Sequence, residues 1–158
     1  MPTYAGRMGN APSVVPRWLG PVSRLNLLFL RLGLRIGSQH ILSVLGRRTG
    51  QLRSTPVSLV TLNGIRYVVS SESLSWVKNA RAAGRGELLR GGRRERVKLT
   101  EVPPNERGPI LRAFWHQVPG GRRFIARVFG LAPNASADDF EAAAPRCPVF
   151  RIDPLANA

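Results

Sequence analysis

Arg53-Ser54-Thr55-Pro56-Val57-Ser58-Leu59-Val60-Thr61-Leu62-Asn63-Gly64-Ile65-Arg66-Tyr67-Val68-Val69-Ser70 is the stretch from which the fold can be read. Its two β-rich runs flank Asn63-Gly64, and that dipeptide favours a type I′ turn because both central residues need positive φ. The first run, Arg53 to Leu62, would place Val57, Leu59 and Thr61 on one face. The second, Ile65 to Ser70, returns antiparallel to it. Upstream, Ile41-Leu42-Ser43-Val44-Leu45 reads as a strand ended by Gly46, with a turn through Thr49-Gly50-Gln51. Downstream, Ser75 to Ala83 is a short helix stopped by Gly84. Glu87 to Arg90 and Arg94 to Leu99 form a second hairpin joined at Gly91-Gly92.

Pro103-Pro104 ends this run of strands. Ile110, Phe114 and Val118 then recur at i, i+4 and i+8 with Leu111 and Trp115 beside them, the pattern of an amphipathic helix. Phe124/Val128 and Ile125/Phe129 repeat it in a second helix, with Arg123 and Arg127 outward. Ser136-Ala137-Asp138-Asp139 has the form of a capping box with Asp in place of the usual Glu. Pro148 to Ile152 is a last strand, and Cys147 beside it is read as a small buried hydrophobe rather than a nucleophile. The fold expected is mainly β with added helices, an antiparallel barrel whose C-terminal helices precede the last strand. The βαβ alternation of a Rossmann domain is missing.

Residues 1 to about 20 are Pro/Gly-rich and read as a flexible tail, leaving 21–158 as one domain. Pro21 can open an N-terminal amphipathic helix in which Arg24, Arg31 and Arg35 share a narrow sector. Its wide apolar face either packs on the barrel or lies in a membrane interface, and packing is the preferred reading. Leu25 to Leu34 is too short to cross a bilayer and Arg31 interrupts it. No secretory signal is evident, so the expected location is cytoplasmic, with peripheral membrane contact through this helix left open.

The chain has 158 residues and 43% hydrophobic content, enough for a real core. Its net charge of +15, from 24 basic and 9 acidic residues, attracts anions of several kinds. Arginine supplies nearly all of it, Lys78 and Lys98 being the only lysines, and the guanidinium fork suits phosphate and carboxylate groups. GC-rich coding is the bland explanation of the same excess, so charge alone decides little. One cysteine rules out an internal disulfide, and with two histidines and scattered acids a metal site is not expected.

Chemistry concentrates in Gly46-Arg47-Arg48-Thr49-Gly50-Gln51-Leu52-Arg53-Ser54-Thr55-Pro56-Val57. A glycine-flanked turn, a threonine hydroxyl and three arginines can form a phosphate-holding nest. The competing reading is a solvated hairpin turn with surface arginines.

The order Gly-Arg-Arg-Thr-Gly, then Arg53, then Pro56-Val57 resembles the hallmark of the deazaflavin-dependent nitroreductase family. Ser70-Ser71 followed by Trp76-Val77-Lys78-Asn79 is similar to that family's Ser…Trp-x-x-Asn helix, and Cys147-Pro148-Val149-Phe150 to its closing strand. The resemblance covers about residues 40 to 152 and implies a split β-barrel oxidoreductase using coenzyme F420, with flavin mononucleotide the less expected cofactor. It implies that Arg48, Thr49 and Arg53 hold phosphate or tail carboxylates. Arg47, Gly50 and Lys78 fall in the same motifs and join the candidate site. Pro56 and Val57 would lie along the deazaflavin, and Ser71, Trp76 and Asn79 would line the rest of the cleft. Core packing for Trp76 and a surface amide for Asn79 are the alternatives. No catalytic side chain is nominated, because hydride transfer is carried by the cofactor.

Two departures from the family matter. Glu72 stands where the family often has lysine, and an acid there opposes an anionic tail unless it points away or pairs with Arg47 or Lys78. Around Ser136 to Ala144 the tyrosines of nitroimidazole-reducing members are missing, and Phe140 is the sole aromatic. An apolar or lipid-like small-molecule acceptor is therefore expected at least as much as a nitroimidazole. A deazaflavin- or lipid-binding protein without turnover is the alternative. Nucleic acid is disfavoured, since no stacking aromatic interleaves Arg90, Arg93, Arg94 and Arg96. The sequence assigns no oligomeric state.

Overall fold

Asn63 and Gly64 both adopt positive φ, 53° and 74°, and the chain reverses there. The strands they join, β2 (Leu52–Leu62) and β3 (Ile65–Val69), pair antiparallel with Leu62 opposite Ile65 and Leu59 opposite Val68. These features belong to a computed structural model that describes residues 39–90 and 93–156. The expected tail, the N-terminal helix and the Gly91-Gly92 turn lie outside the described residues.

Four more strands complete the sheet: β1 (Gln39–Leu45), β4 (Arg85–Arg90), β5 (Arg93–Glu101) and β6 (Val149–Pro154). They close into an antiparallel barrel in the order β1-β2-β3-β6-β5-β4. Closure satisfies every strand edge with a neighbour, which a small open sheet cannot do. Among the described residues the α-helices are α1 (Ser75–Ala83), α2 (Gly108–Gln117), α3 (Arg122–Val128) and α4 (Ala137–Ala143). The expected order of strands and helices is thus found across the described residues.

Two cores divide the molecule. Inside the barrel, Leu42, Val44, Val57, Val68, Leu88, Val97, Leu99, Phe150 and Ile152 meet Trp76, Val77 and Ala80 of α1, which closes one end. Outside it, Val60 and Val149 pack under Ile110, Leu111 and Phe114 of α2, Ile125 of α3 and Phe140 of α4. Strand β2 is consequently covered on both faces over its middle, with Thr55, Pro56, Val57 and Val60 all buried. The expected Val57–Leu59–Thr61 face exists, yet Thr61 at its end is exposed.

Each helix is stopped and seated by particular groups. Gly84, at φ 66°, ends α1 with its N–H on the carbonyl of Ala80 at 2.8 Å. Ser136 and Asp139 form the full capping box of α4: Asp139 N–H donates to Ser136 Oγ at 3.2 Å, and Ser136 N–H to Asp139 Oδ2 at 2.8 Å. Gln117 fixes α2 to β2 by pairing with the Thr61 backbone, donating to its carbonyl at 2.7 Å and accepting from its N–H at 2.9 Å. Arg122 lies 3.6 Å over the Trp115 ring and so anchors the start of α3 on α2.

Arg107 is a buried ion the sequence did not flag. It donates to the carbonyls of Val102 at 2.8 Å, Cys147 at 2.9 Å and Pro145 at 3.2 Å, and pairs with Glu101 at 3.3 Å. This joins the end of β5 to the chain entering β6. The run Cys147-Pro148-Val149-Phe150 reads as a strand in the sequence, but β6 begins only at Val149 and Cys147 instead follows a 3-10 turn (Ala144–Arg146). It is fully buried, and burial pushes its thiol up to about 12.

Candidate functional site

The turn between β1 and β2 is closed by Gly46 N–H to the carbonyl of Gln51 at 2.8 Å and Gly50 N–H to the carbonyl of Gly46 at 2.9 Å. Thr49 Oγ1 accepts from Gln51 N–H at 3.3 Å. Gly46 sits in a tight approach, where a side chain would press on its neighbours by a few tenths of an ångström. A Cβ there would stand 3.1 Å from Thr49 Oγ1 and 3.4 Å from Arg53 Nε. The Arg53 side chain therefore passes across Gly46, back toward the start of the turn.

Helix α1 supplies the opposite wall. Asn79 is buried, and its amide oxygen accepts from Arg47 N–H at 3.2 Å and from Arg47 Nη1 at 2.9 Å. Gly46, Arg47, Arg48, Thr49 and Arg53 line an open cleft with Ser75 and Asn79. No carboxylate lines it, and Arg47, Arg48 and Arg53 form no ion pair among the described residues. Three guanidinium groups and a hydroxyl converging without a counter-charge are suited to an anion.

A narrow apolar cleft begins two residues further along β2. Thr55, Pro56, Val57 and Ser58 form one wall, with Trp76 from α1 and Phe114, Phe124 and Ile125 from α2 and α3 opposite. Trp76 serves both readings at once: it packs on Phe150 with centroids 5.6 Å apart and also lines this cleft. Burial on both sides of β2 makes the wall rigid, which favours a preformed binding surface.

The candidate residues are distributed unevenly over these two compartments. Arg47, Arg48, Thr49, Arg53 and Asn79 come together in the cationic one, and Pro56, Val57 and Trp76 in the apolar one. Gly50, at φ 65°, shapes the turn itself. Ser71 and Lys78 line neither. Ser71 is buried and bonds to Ser73 within its own turn, Oγ to Oγ at 2.8 Å, and Lys78 is exposed.

Ser70, not Ser71, reaches the apolar cleft, and its buried Oγ has no hydrogen-bond partner among the described residues. An orphaned hydroxyl is costly unless a ligand or water satisfies it. Strand parity could have found it. Ser70 lies two residues past buried Val68, on the same side of the strand.

Glu72 does not face the cationic cleft. It pairs with Arg81, which also binds Glu101 at 2.6 Å, and Glu101 in turn meets Arg107. The partner is neither Arg47 nor Lys78. The Arg81 guanidinium holds the carboxyls of Glu72 and Glu101 below the usual carboxylate range.

Comparison with known proteins gives a family. The model of the F420H(2)-dependent quinone reductase family matches residues 31–123. No curated protein sequence matches the chain. Among solved structures, the chain is similar to the conserved hypothetical protein Rv2991 from Mycobacterium tuberculosis, at 14% identity and a TM-score of 0.50, over 84% of this chain and 78% of that one. It is also similar to an F420-H2 dependent reductase, FDR-A, at 19% identity and a TM-score of 0.48, over 74% of this chain and 95% of the other.

Proposed function

The chain belongs to the F420H(2)-dependent quinone reductase family, and from that membership we propose that it passes a hydride from reduced coenzyme F420 to an apolar, quinone-like acceptor. The family makes it an F420-dependent oxidoreductase with coenzyme F420 as cofactor. The finer assignments, to residues and to acceptor, rest on the two compartments.

One observation carries the reading: a single strand, β2, runs from the cationic cleft at Arg53 into the apolar cleft at Thr55–Ser58. Coenzyme F420 has the matching division, an aromatic deazaflavin and a tail of phosphodiester and glutamate carboxylates. The unpartnered Ser70 hydroxyl adds a polar point within the apolar wall, suited to a heteroatom on the ring edge. The residues present fit the group.

When bound, the deazaflavin supplies the hydride chemistry. Arg48, Thr49 and Arg53 hold the anionic tail by charge-assisted hydrogen bonds. Arg47, already engaged by Asn79, acts by fixing the turn against α1. Pro56, Val57 and Trp76 present a flat, dry surface to the ring and exclude water, which protects a hydride donor from side reactions. Phe124, Ile125 and Phe114 leave the remaining space apolar, suiting a quinone ring better than a charged acceptor.

The test is a titration with oxidised coenzyme F420 followed by fluorescence, with flavin mononucleotide as control, and then reoxidation of F420H2 by a naphthoquinone. Saturable deazaflavin binding and quinone-dependent reoxidation are expected. Binding without reoxidation by a quinone or a nitroimidazole would leave a deazaflavin carrier and overturn the catalytic reading. Absence of deazaflavin binding would remove the site assignment.

A further inference from the structure

Strand parity places a second cationic cavity at the end of the barrel opposite α1. Leu42, Val68, Leu88 and Val97 point into the barrel core. Two residues nearer the far end on their strands stand His40, Arg66, Arg90 and Glu95, so period 2 turns these inward as well. With Arg93 and Arg94 they line an open cavity that Leu88 also lines. From Arg53 to Thr61, the partner of Arg66, β2 runs roughly 26 Å at about 3.3 Å per residue. The cavity is thus distant from the cationic cleft and shares no lining residue with either cleft, so its assignment does not depend on them.

The charge here is unbalanced. Among the described residues Glu95 is the only acid lining the cavity, and it is taken by Arg66 in a bidentate pair at 2.7 and 2.8 Å. Arg94 has only Glu87 at 3.9 Å. Arg90 and Arg93 form no ion pair among the described residues, and they lie directly opposite one another across the β4–β5 ladder. Like charges facing across a ladder destabilise it, and an anion between them reverses the sign of that contribution. The Arg66–Glu95 pair is held rigid beside them, leaving its neighbours to receive a ligand.

We propose that this barrel mouth is a binding site for a compact phosphate-type oxyanion, with Arg90 and Arg93 as its principal ligands. A concave site above the barrel core admits a phosphoryl group on a small molecule or a lipid headgroup, whereas a polymer needs a groove open at both ends. Guanidinium forks suit tetrahedral oxyanions through paired N–H donors.

The 158-residue chain contains two histidines, His40 in the cavity and His116 on α2, so its imidazole NMR signals report the site directly. His40→Gln assigns them. Inorganic pyrophosphate, titrated at ionic strength held constant with sodium chloride, should shift the His40 signal saturably and leave His116 unmoved. Arg90→Gln with Arg93→Gln should weaken that response about tenfold or more, whereas Arg53→Ala should leave it intact. Phosphatidylglycerol vesicles, against phosphatidylcholine, distinguish the sources: a His40 shift with the vesicles and not with pyrophosphate assigns the oxyanion to a headgroup. A linear response equal to that of chloride in both arms overturns the proposal, and this wild-type result decides even if the double variant does not fold. A shift that survives the double variant, or saturation by an oligonucleotide alone, overturns it too.

Discussion

Arg47 reaches Asn79 twice, through its backbone N–H at 3.2 Å and through Nη1 at 2.9 Å, and so binds the β1–β2 turn to helix α1. One buried amide oxygen thereby sets the separation of the two walls of the cationic cleft. Asn79→Ala should widen it. The loss of a part-buried hydrogen bond from a charged donor costs about 1.5 to 3 kcal/mol. A lower melting temperature and a weaker coenzyme F420 affinity are expected together, by thermal denaturation and fluorescence titration. Unchanged affinity would show that the turn is held without α1.

Arg53 tests the cleft without disturbing the fold. Arg53→Ala should weaken deazaflavin binding by roughly 1.5 to 3 kcal/mol, the range for a charge-assisted bond. The melting point should hardly move, since an exposed arginine contributes little to stability. Gly46→Ala should lower affinity by pressing on the turn, because its methyl would stand 3.1 Å from Thr49 Oγ1 and 3.3 Å from the Gln51 carbonyl. An Arg53→Ala protein with the wild-type dissociation constant would take this residue out of the site.

Glu72 should not oppose the cofactor, because it is paired with Arg81. Glu72→Lys is therefore expected to leave deazaflavin affinity unchanged at low salt, and any tightening would contradict this placement. The consequence of the pair lies instead in acid stability. Arg81 lowers the folded-state pKa of Glu101 and Glu72, so their contribution is present above about pH 4.5, the usual carboxylate value, and is lost as pH falls through the lowered values. Arg81→Gln should flatten the loss of stability in that acid range, measured by urea denaturation at several pH values.

Arg107 is expected to be the most damaging single loss outside the apolar cores. Arg107→Met removes the donor to three backbone carbonyls and one of the two guanidinium partners of Glu101, which keeps Arg81. A cost of about 3 to 5 kcal/mol follows from breaking a buried charged network. Chemical denaturation measures it, and a loss under 1 kcal/mol would mean that water replaces the guanidinium there.

The sequence by itself determined whatever depends on neighbours along the chain. Asn63-Gly64 makes its turn because few other pairs tolerate positive φ twice. Gly84 stops α1 for a similar local reason, and Ser136 and Asp139 cap α4 within a single turn. Helix spacing announced α2 and α3, and the Gly-Arg-Arg-Thr-Gly turn announced a cationic site. Tertiary structure alone decided the rest. Val60 is buried because helices from later in the chain cover the outside of the barrel. Trp76 is both core and cleft wall because α1 closes the barrel end beside β2. Asn79 is an anchor, Glu72 is turned away and Ser70 is orphaned because of partners, or their absence, many residues distant. Those outcomes follow from barrel closure, which brings side chains together by strand register and parity, and no local pattern encodes which residues a closed sheet sets face to face.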